Sequence, residues 1–402
     1  MLSRLECEAA DRADPLAGAR DAFVPGADGT LYFDANSVGA MPLRAQAAMA
    51  RIADEWRRLR RRGWSESGWL GAPQRLGDKL APLLGAAPGQ LLVGDSTSIN
   101  LHKALSLALG MRGDRAVVIT QAGTFPTDLY VAQGLAALRP GVRIEAVDGD
   151  EDAVEAALGA ARAVPAVVYL SHTDYRTGRR LDMARLCDAA RRSGAATVWD
   201  LSHSAGAGAI ELDACAADFA VGCGYKYLCG GPGAPGYLYV ARRHQHLPRP
   251  APWGWMGHAD QFAFEPQYRP APDMRAHMIG TPSVLAEAVF EAALETWAEF
   301  DLARAWRKRE ALAAVLIARA SAQAERTGLA VLTPLEPARQ GGFVALRHPK
   351  APEVCAALAQ QRVICSYRPP DVIRFGLSPL TQRHVEVWDA CDRLDSILAA
   401  VA

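Results

Sequence analysis

The chain is poor in lysine. Among 402 residues it carries five, Lys79, Lys103, Lys226, Lys308 and Lys350, although Lys+Arg together number 44. It also lacks a charge of either sign, because Asp+Glu number 44 as well and the formal net charge is zero. Without a basic surplus, binding to nucleic acid through phosphate neutralisation is not expected, and without an acidic tail neither is a solvating arm. No uncharged apolar run approaches the roughly 18 residues that a membrane helix needs. Met1–Asp21 mixes acids and bases and has no apolar run of about 7–15 residues, so it reads as neither a signal nor a transit peptide. The eight cysteines are scattered singly and none forms a CxxC pair. Zinc and a disulfide framework are therefore not expected, and a reducing cytoplasm fits best. Finally, the chain has no GxxxxGK[ST] loop and no GxGxxG after a strand, which argues against a nucleotide triphosphate or a dinucleotide. A small-molecule partner is what remains.

What is present alternates short apolar runs with helical periodicity, the pattern of an α/β domain with a largely parallel sheet. Strands are predicted at Ala116–Thr120, Val142–Val147, Ala166–Ser171, Ala196–Leu201, Asp218–Gly222 and Gly236–Val240. Helices are predicted around Thr127–Leu138, Glu151–Arg162 and Leu181–Ser193. Arg44–Arg62 reads as an amphipathic, arginine-rich helix, and Ser283–Arg326 as helical and densely charged. Strand signals at Gly342–Arg347 and Val372–Gly376, with helices at Pro352–Gln361 and Gln382–Ala399, make the C-terminal part a smaller α+β unit. The proline-rich segment His246–Pro252 marks the end of the central unit's last strand.

The scarcity of lysine lets each one be weighed. Lys79 and Lys103 sit in helical patterns, Lys308 lies among charges, and Lys350 follows a proline in a turn, so all four read as solvated side chains. Lys226 differs. It lies in the glycine-rich stretch Gly222–Gly233, with no other charge between Phe219 and Val240. A desolvated lysine gives up its proton more readily, and a neutral amine is what a Schiff base requires. The plain alternative is a lysine pointing out of a flexible loop.

Three further motifs accompany it. Val198-Trp-Asp-Leu-Ser-His puts Asp200 at the end of a buried strand, where open α/β sheets bind ligands, with His203 close by. Such a carboxylate suits the ring nitrogen of a pyridoxal cofactor, although Asp200 could merely cap a turn and His203 could be a core histidine. Gly94-Asp-Ser-Thr-Ser-Ile-Asn places hydroxyls and an amide just ahead of an apolar helix, a phosphate cup or an ordinary cap. Gly123-Thr-Phe-Pro-Thr-Asp follows a strand and offers Phe125 to stack on a flat ring and Asp128 to join a site; the plain reading is a Pro-initiated helix. An amine, a ring-nitrogen carboxylate, a phosphate cup and a stacking aromatic together ask for pyridoxal 5′-phosphate.

At this point the chain resembles the kynureninases, within the class V aminotransferase group of fold type I. The resemblance is carried by Tyr32–Gly39, Gly94–His102, Phe125–Asp128, Trp199–Ala207, Gly222–Gly236, Gly254–His258 and Asp371–Leu377, in the family's order across nearly the whole chain. It implies a large domain with a mostly parallel seven-stranded sheet between helices, residues 63–282. It also implies a smaller α+β domain, residues 283–402, against which the segment 1–62 packs. Lys226 would carry the cofactor and move the substrate α-proton, Asp200 would pair with the ring nitrogen, and His203 would sit beside it. Phe125 would stack on the ring. Thr97, Ser98, Asp128, Ser171 and Tyr225 would line the cofactor, with Tyr225 as proton donor or relay. Trp255 and Thr281 would reach the phosphate from the neighbouring subunit of a homodimer. Arg374 would grip the substrate α-carboxylate through its bidentate fork, with Asn36 and Trp64 also contacting substrate. The implied reaction is hydrolysis of L-kynurenine to anthranilate and L-alanine, as in tryptophan catabolism.

Two positions depart from the family. Trp64 falls where animal members have histidine, and an indole there fits the bacterial preference for kynurenine over its 3-hydroxy form. Thr281 replaces an asparagine of other members. Rival readings are a class V aminotransferase, a cysteine desulfurase, or a non-catalytic protein on the same fold. A desulfurase needs a reactive cysteine on a mobile C-terminal loop, and Cys355 in a helix pattern and Cys365 in a strand pattern fit that poorly.

Overall fold

The computed structural model describes residues 3–26, 29–112, 116–161, 166–248 and 250–401. The N-terminal part holds α1 (Arg4–Arg12), β1 (Leu31–Tyr32), α2 (Leu43–Leu59), the short α3 (Gly63–Glu66) and α4 (Ala72–Leu80). The central part runs β2 (Leu91–Val93), α5 (Thr97–Gly110), β3 (Ala116–Gln121), α6 (Pro126–Leu138), β4 (Val142–Val147) and α7 (Glu151–Ala160). It continues with β5 (Ala166–Ser171), α8 (Met183–Arg192), β6 (Ala196–Asp200), β7 (Phe219–Cys223) and β8 (Gly236–Val240). The rest is α9 (Val284–Trp297), α10 (Leu302–Thr327), β9 (Ala330–Val331), β10 (Phe343–Arg347) and α11 (Ala351–Gln360). It ends with β11 (Val363–Ile364), β12 (Ser366–Arg368), β13 (Val372–Gly376) and α12 (His384–Val401).

A seven-stranded sheet has the order β2-β8-β7-β6-β5-β3-β4. The strands from β7 to β4 are mutually parallel; β8 runs antiparallel to β7, and β2 antiparallel to β8. The inner strands are apolar on both sides because both faces are covered, whereas the edge strand β4 carries Arg143 and Glu145. In β5, Val167 and Tyr169 point into one apolar cluster and Val168 and Leu170 into the other. Each such aliphatic side chain contributes about 1.5–3 kcal/mol on burial. This packing carries the parallel strands side by side, so that their carboxyl ends open at one edge. A second sheet, β12-β13-β10-β9, is antiparallel throughout, and β1 pairs with β11 in parallel. Its core gathers Leu312, Val344, Leu346, Phe375 and Leu394. Phe290, Leu294 and Trp297 of α9 share the apolar cluster of the large sheet. Among the described residues, no helix is long and apolar enough to cross a membrane.

Several boundaries differ from the sequence expectation. β2 has only three residues, too few for a period-2 signal to emerge. The long helix read over Ser283–Arg326 is two helices, because Asp301 accepts from the backbone N–H of Arg304 and starts α10 afresh. The helix read as starting at Gln382 begins at His384; Gln382 instead uses its side chain on Ser378, Tyr32 and Gly376. The helix predicted over Glu151–Arg162 stops at Ala160, and Arg162 lies outside the described residues, as do Met1, Leu2 and Arg249 of the segments read above.

Two lysines read as solvated are buried. Lys103 donates to Asp95 at 2.5 Å and to the carbonyl of His277 at 2.6 Å. Lys308 pairs with Asp14 at 2.7 Å. Helical periodicity reveals which face a residue occupies, but not which distant carboxylate will meet it.

Candidate active site

The carboxyl ends of β5, β6 and β7 bring the chemistry-bearing residues together. Ser171 and Asp200 are direct neighbours in the β5–β6 register, and Asp200 faces Val221 of β7, two residues before its end. The chain then turns through Gly224 and Tyr225 to Lys226. The turn is held from outside. Gly39 N–H donates to the carbonyl of Tyr225 at 2.9 Å, and a Cβ on Gly39 would collide with the Lys226 carbonyl, so the close approach demands glycine.

Lys226 is half-buried and its Nζ lies 3.2 Å from Nε2 of His203. His203 is itself buried; burial first, then the charges of Lys226 and Arg374, hold its imidazole well below the ordinary value and keep it neutral. Asp200 is buried too. Its Oδ1 accepts from the N–H of Ser202 at 2.9 Å and from its hydroxyl at 2.6 Å. Burial raises the Asp200 carboxyl, while the Ser202 bonds and the charge of Lys226 oppose the shift. Asp128, in the first turn of α6, is likewise raised by burial and next by the negative charge of Asp200. Thr124 links it to the strand ends, donating to Asp128 at 3.3 Å and bonding Ser171 at 3.0 Å. Two buried carboxyls that disfavour their own charge form a pocket wall that a cationic N–H would satisfy.

Thr97 and Ser98 are the first two residues of α5, whose cap is Ser96. Their N–H groups have no intrahelical acceptor, so the helix start is disposed to hold an anion. Gly236 lies against it; a Cβ there would sit 2.9 Å from the Thr97 nitrogen. The Lys103–Asp95 pair fastens the loop that leads into the helix. Phe125 is exposed by 42% and stands edge-on to Tyr175 at 5.3 Å, leaving a face free. Tyr225 is half-buried, and burial followed by nearby Cys223 pushes its phenol up, so it keeps its proton.

The small sheet contributes the opposite pole. Arg374 is fully buried; its Nε donates to Ser366 Oγ at 3.2 Å and one terminal nitrogen to the Tyr175 carbonyl at 2.7 Å. The other terminal nitrogen is buried without a partner. Burial lowers the guanidinium to about 10, so it stays charged at neutral pH. Asn36 also donates to Ser366 Oγ, at 3.2 Å, and its Oδ1 is unpartnered. A buried cationic fork with a spare N–H, next to a free amide oxygen, suits an amino-acid carboxylate and ammonium.

Three expected site residues are not in contact with Lys226 or Asp200 among the contacts within one chain. Trp64 packs with Ile52, Trp69, Ala288 and Val284. Trp255 is exposed and edge-on to Phe262 at 6.2 Å. Thr281 is exposed and lines a cavity of about 240 Å³ with Gly94, Asp95, Asn100 and Glu287. Conversely, Ser202, Thr124, Ser366 and Tyr175 organise the site and were not anticipated. Ser202 could have been found, because an acid two residues before a serine is an Asx-turn signal.

Residues 306–394 match the family described as the Kynureninase C-terminal domain. The chain is 43% identical to the kynureninase of Deinococcus radiodurans over 99% of its own length and 97% of the relative's. It is 40% identical to that of Pseudomonas fluorescens, with 99% and 96% covered. Among solved structures it superposes on a cysteine desulfurase from Thermococcus onnurineus NA1 with a TM-score of 0.81 at 18% identity, over 96% of this chain and 98% of the other. A cysteine desulfurase from Escherichia coli gives 0.78 at 17% identity, with 96% and 98% covered. The fold is that of the fold type I enzymes.

Proposed function

The chain belongs to the kynureninase family, and on that premise we propose that it hydrolyses L-kynurenine to anthranilate and L-alanine with pyridoxal 5′-phosphate as cofactor. The observation that carries the reading is the Lys226 amine, set against neutral His203 and beside buried Asp200, with the charge of Arg374 acting on the same histidine. The residues present fit the cofactor. The buried carboxyl of Asp200, raised by burial, needs a cationic N–H, and the start of α5 offers free N–H groups to a phosphate. When bound, pyridoxal phosphate supplies an aldehyde for amines and a protonated ring that draws electrons from the substrate α-carbon.

The chain's own groups do the rest. Lys226 would hold the cofactor and carry the proton to and from the α-carbon. Asp200, steadied by Ser202, would keep the ring nitrogen protonated. Thr97, Ser98 and the first N–H groups of α5 would hold the phosphate. Phe125 would cover the ring, with His203, Ser171 and Asp128 around it. Arg374 would fix the α-carboxylate, with Asn36 beside it, and so orient the side chain of the substrate. Tyr225, still protonated, would donate a proton as the bond between Cβ and the aryl ketone carbon breaks. The oxygen of water ends in the anthranilate carboxylate, and the three-carbon fragment leaves as alanine.

Trp255 and Thr281 would reach the phosphate of a neighbouring subunit, which makes the active unit a homodimer. Trp64 would border the aryl pocket and favour kynurenine over its 3-hydroxy form. The setting would be tryptophan catabolism in the cytoplasm. To test the assignment against its relatives on the same fold, cofactor-loaded protein is offered L-kynurenine, L-cysteine and an amine–keto-acid pair in parallel. Anthranilate release without keto acid supports the proposal; sulfide release, or transfer that requires the keto acid, overturns it.

A further inference from the structure

Cys355 on α11 and Cys365 between β11 and β12 lie with their sulfurs 3.8 Å apart, and both are partly buried. The Cys365 S–H points at the Cys355 sulfur. The next residue after Cys365 is Ser366, whose hydroxyl receives the hydrogen bonds of both Arg374 and Asn36. We propose that Cys355 and Cys365 form a modification site, a dithiol that low-molecular-weight disulfides oxidise reversibly, and that oxidation weakens the Arg374 grip on the substrate carboxylate. The second half of this proposal rests on the role given to Arg374 above.

The pair is electronically asymmetric. The hydrogen bond from Cys365 pushes the Cys355 thiol down and raises that of Cys365, so Cys355 is the attacking sulfur. Its thiolate displaces one thiolate from the incoming disulfide and forms a mixed disulfide. Cys365 then loses its proton, attacks the Cys355 sulfur and expels the second thiol. Two protein thiols are oxidised, and one small disulfide is reduced to two thiols.

The mechanical consequence follows from what can move. A disulfide has its sulfurs about 2.05 Å apart, so the pair must close by roughly 1.8 Å. On one side, Val354 and Leu358 anchor α11 in the core with no exposure. On the other, Cys365 is a single residue linking two very short strands. Beyond what side-chain rotation absorbs, the displacement falls on Cys365 and is passed to Ser366, the common acceptor.

The test treats cofactor-loaded protein with glutathione disulfide. Intact mass and thiol titration should show two thiols lost with no glutathione retained. The KM for L-kynurenine should rise about tenfold, the scale of one hydrogen bond to a charged group. The kcat and the visible absorbance should hold, and dithiothreitol should restore the KM. Cys355→Ser should keep normal basal activity and resist the treatment. If no two-thiol loss occurs, the site is refuted; if it occurs with unchanged KM, the coupling to Arg374 is refuted. The mass readout needs no kynurenine, so its outcome stands apart from the proposed activity.

Discussion

Single side chains set the two poles of the site. Arg374 is held by Ser366 and the Tyr175 carbonyl, which leaves one N–H donor for a ligand. Arg374→Lys replaces a fixed fork by a point charge. It should raise the KM for kynurenine by about tenfold or more and change kcat far less, the cost of charged hydrogen bonds lost on binding. Ser202 acts through Asp200. Ser202→Ala removes the shorter of the two bonds to Oδ1, and steady-state kinetics should show kcat lower by about tenfold with little effect on KM. An equal loss in KM would mean that Ser202 serves substrate binding instead. Lys226 and Asp200 were legible in the sequence because one stretch or one strand end carries the whole signal. Thr124 and Ser366 were not, since their roles come from partners such as Ser171, Arg374 and Asn36 that only folding brings near.

At the scale of elements, α9 carries a buried acid. Glu287 is 1% exposed and neither carboxyl oxygen has a partner. Burial raises it from the ordinary 4.5 to about 8. Below 4.5 the folded and unfolded chains both hold the proton, and its contribution to stability is complete. Between there and about 8 the folded chain retains a proton that the unfolded chain has released, so stability falls as pH rises. Glu287→Gln should therefore raise the unfolding temperature by a few degrees at pH 8.5 and by much less at pH 5. A pH-independent difference in melting curves would contradict it. The same helix shows where pattern reading stops. A densely charged, helix-forming sequence runs on from it into α10, so the two read as one, and the Asp301 cap marks where the second begins. β2 was hidden for the opposite reason, because three residues cannot display alternation.

At the scale of the whole molecule, the proposed function has each site completed by a second subunit. Trp255 and Thr281 are exposed, and Phe262, itself exposed, stands edge-on to Trp255. Lys226→Ala and a Trp255→Ala/Thr281→Ala double variant should each be impaired. Mixed and reassociated, they should recover about a quarter of wild-type activity, because half the dimers are hybrids and each hybrid has one intact site. No gain over the sum of the separate variants would place the complete site within one chain.

The most direct measurement adds L-kynurenine to purified, cofactor-loaded protein and to its Lys226→Ala variant, and follows anthranilate fluorescence and alanine together. Equimolar anthranilate and alanine from the wild type, with none from the variant and no yellow absorbance in it, is the predicted result. Undiminished turnover by Lys226→Ala, or no anthranilate from wild-type protein that has bound the cofactor, would contradict the account.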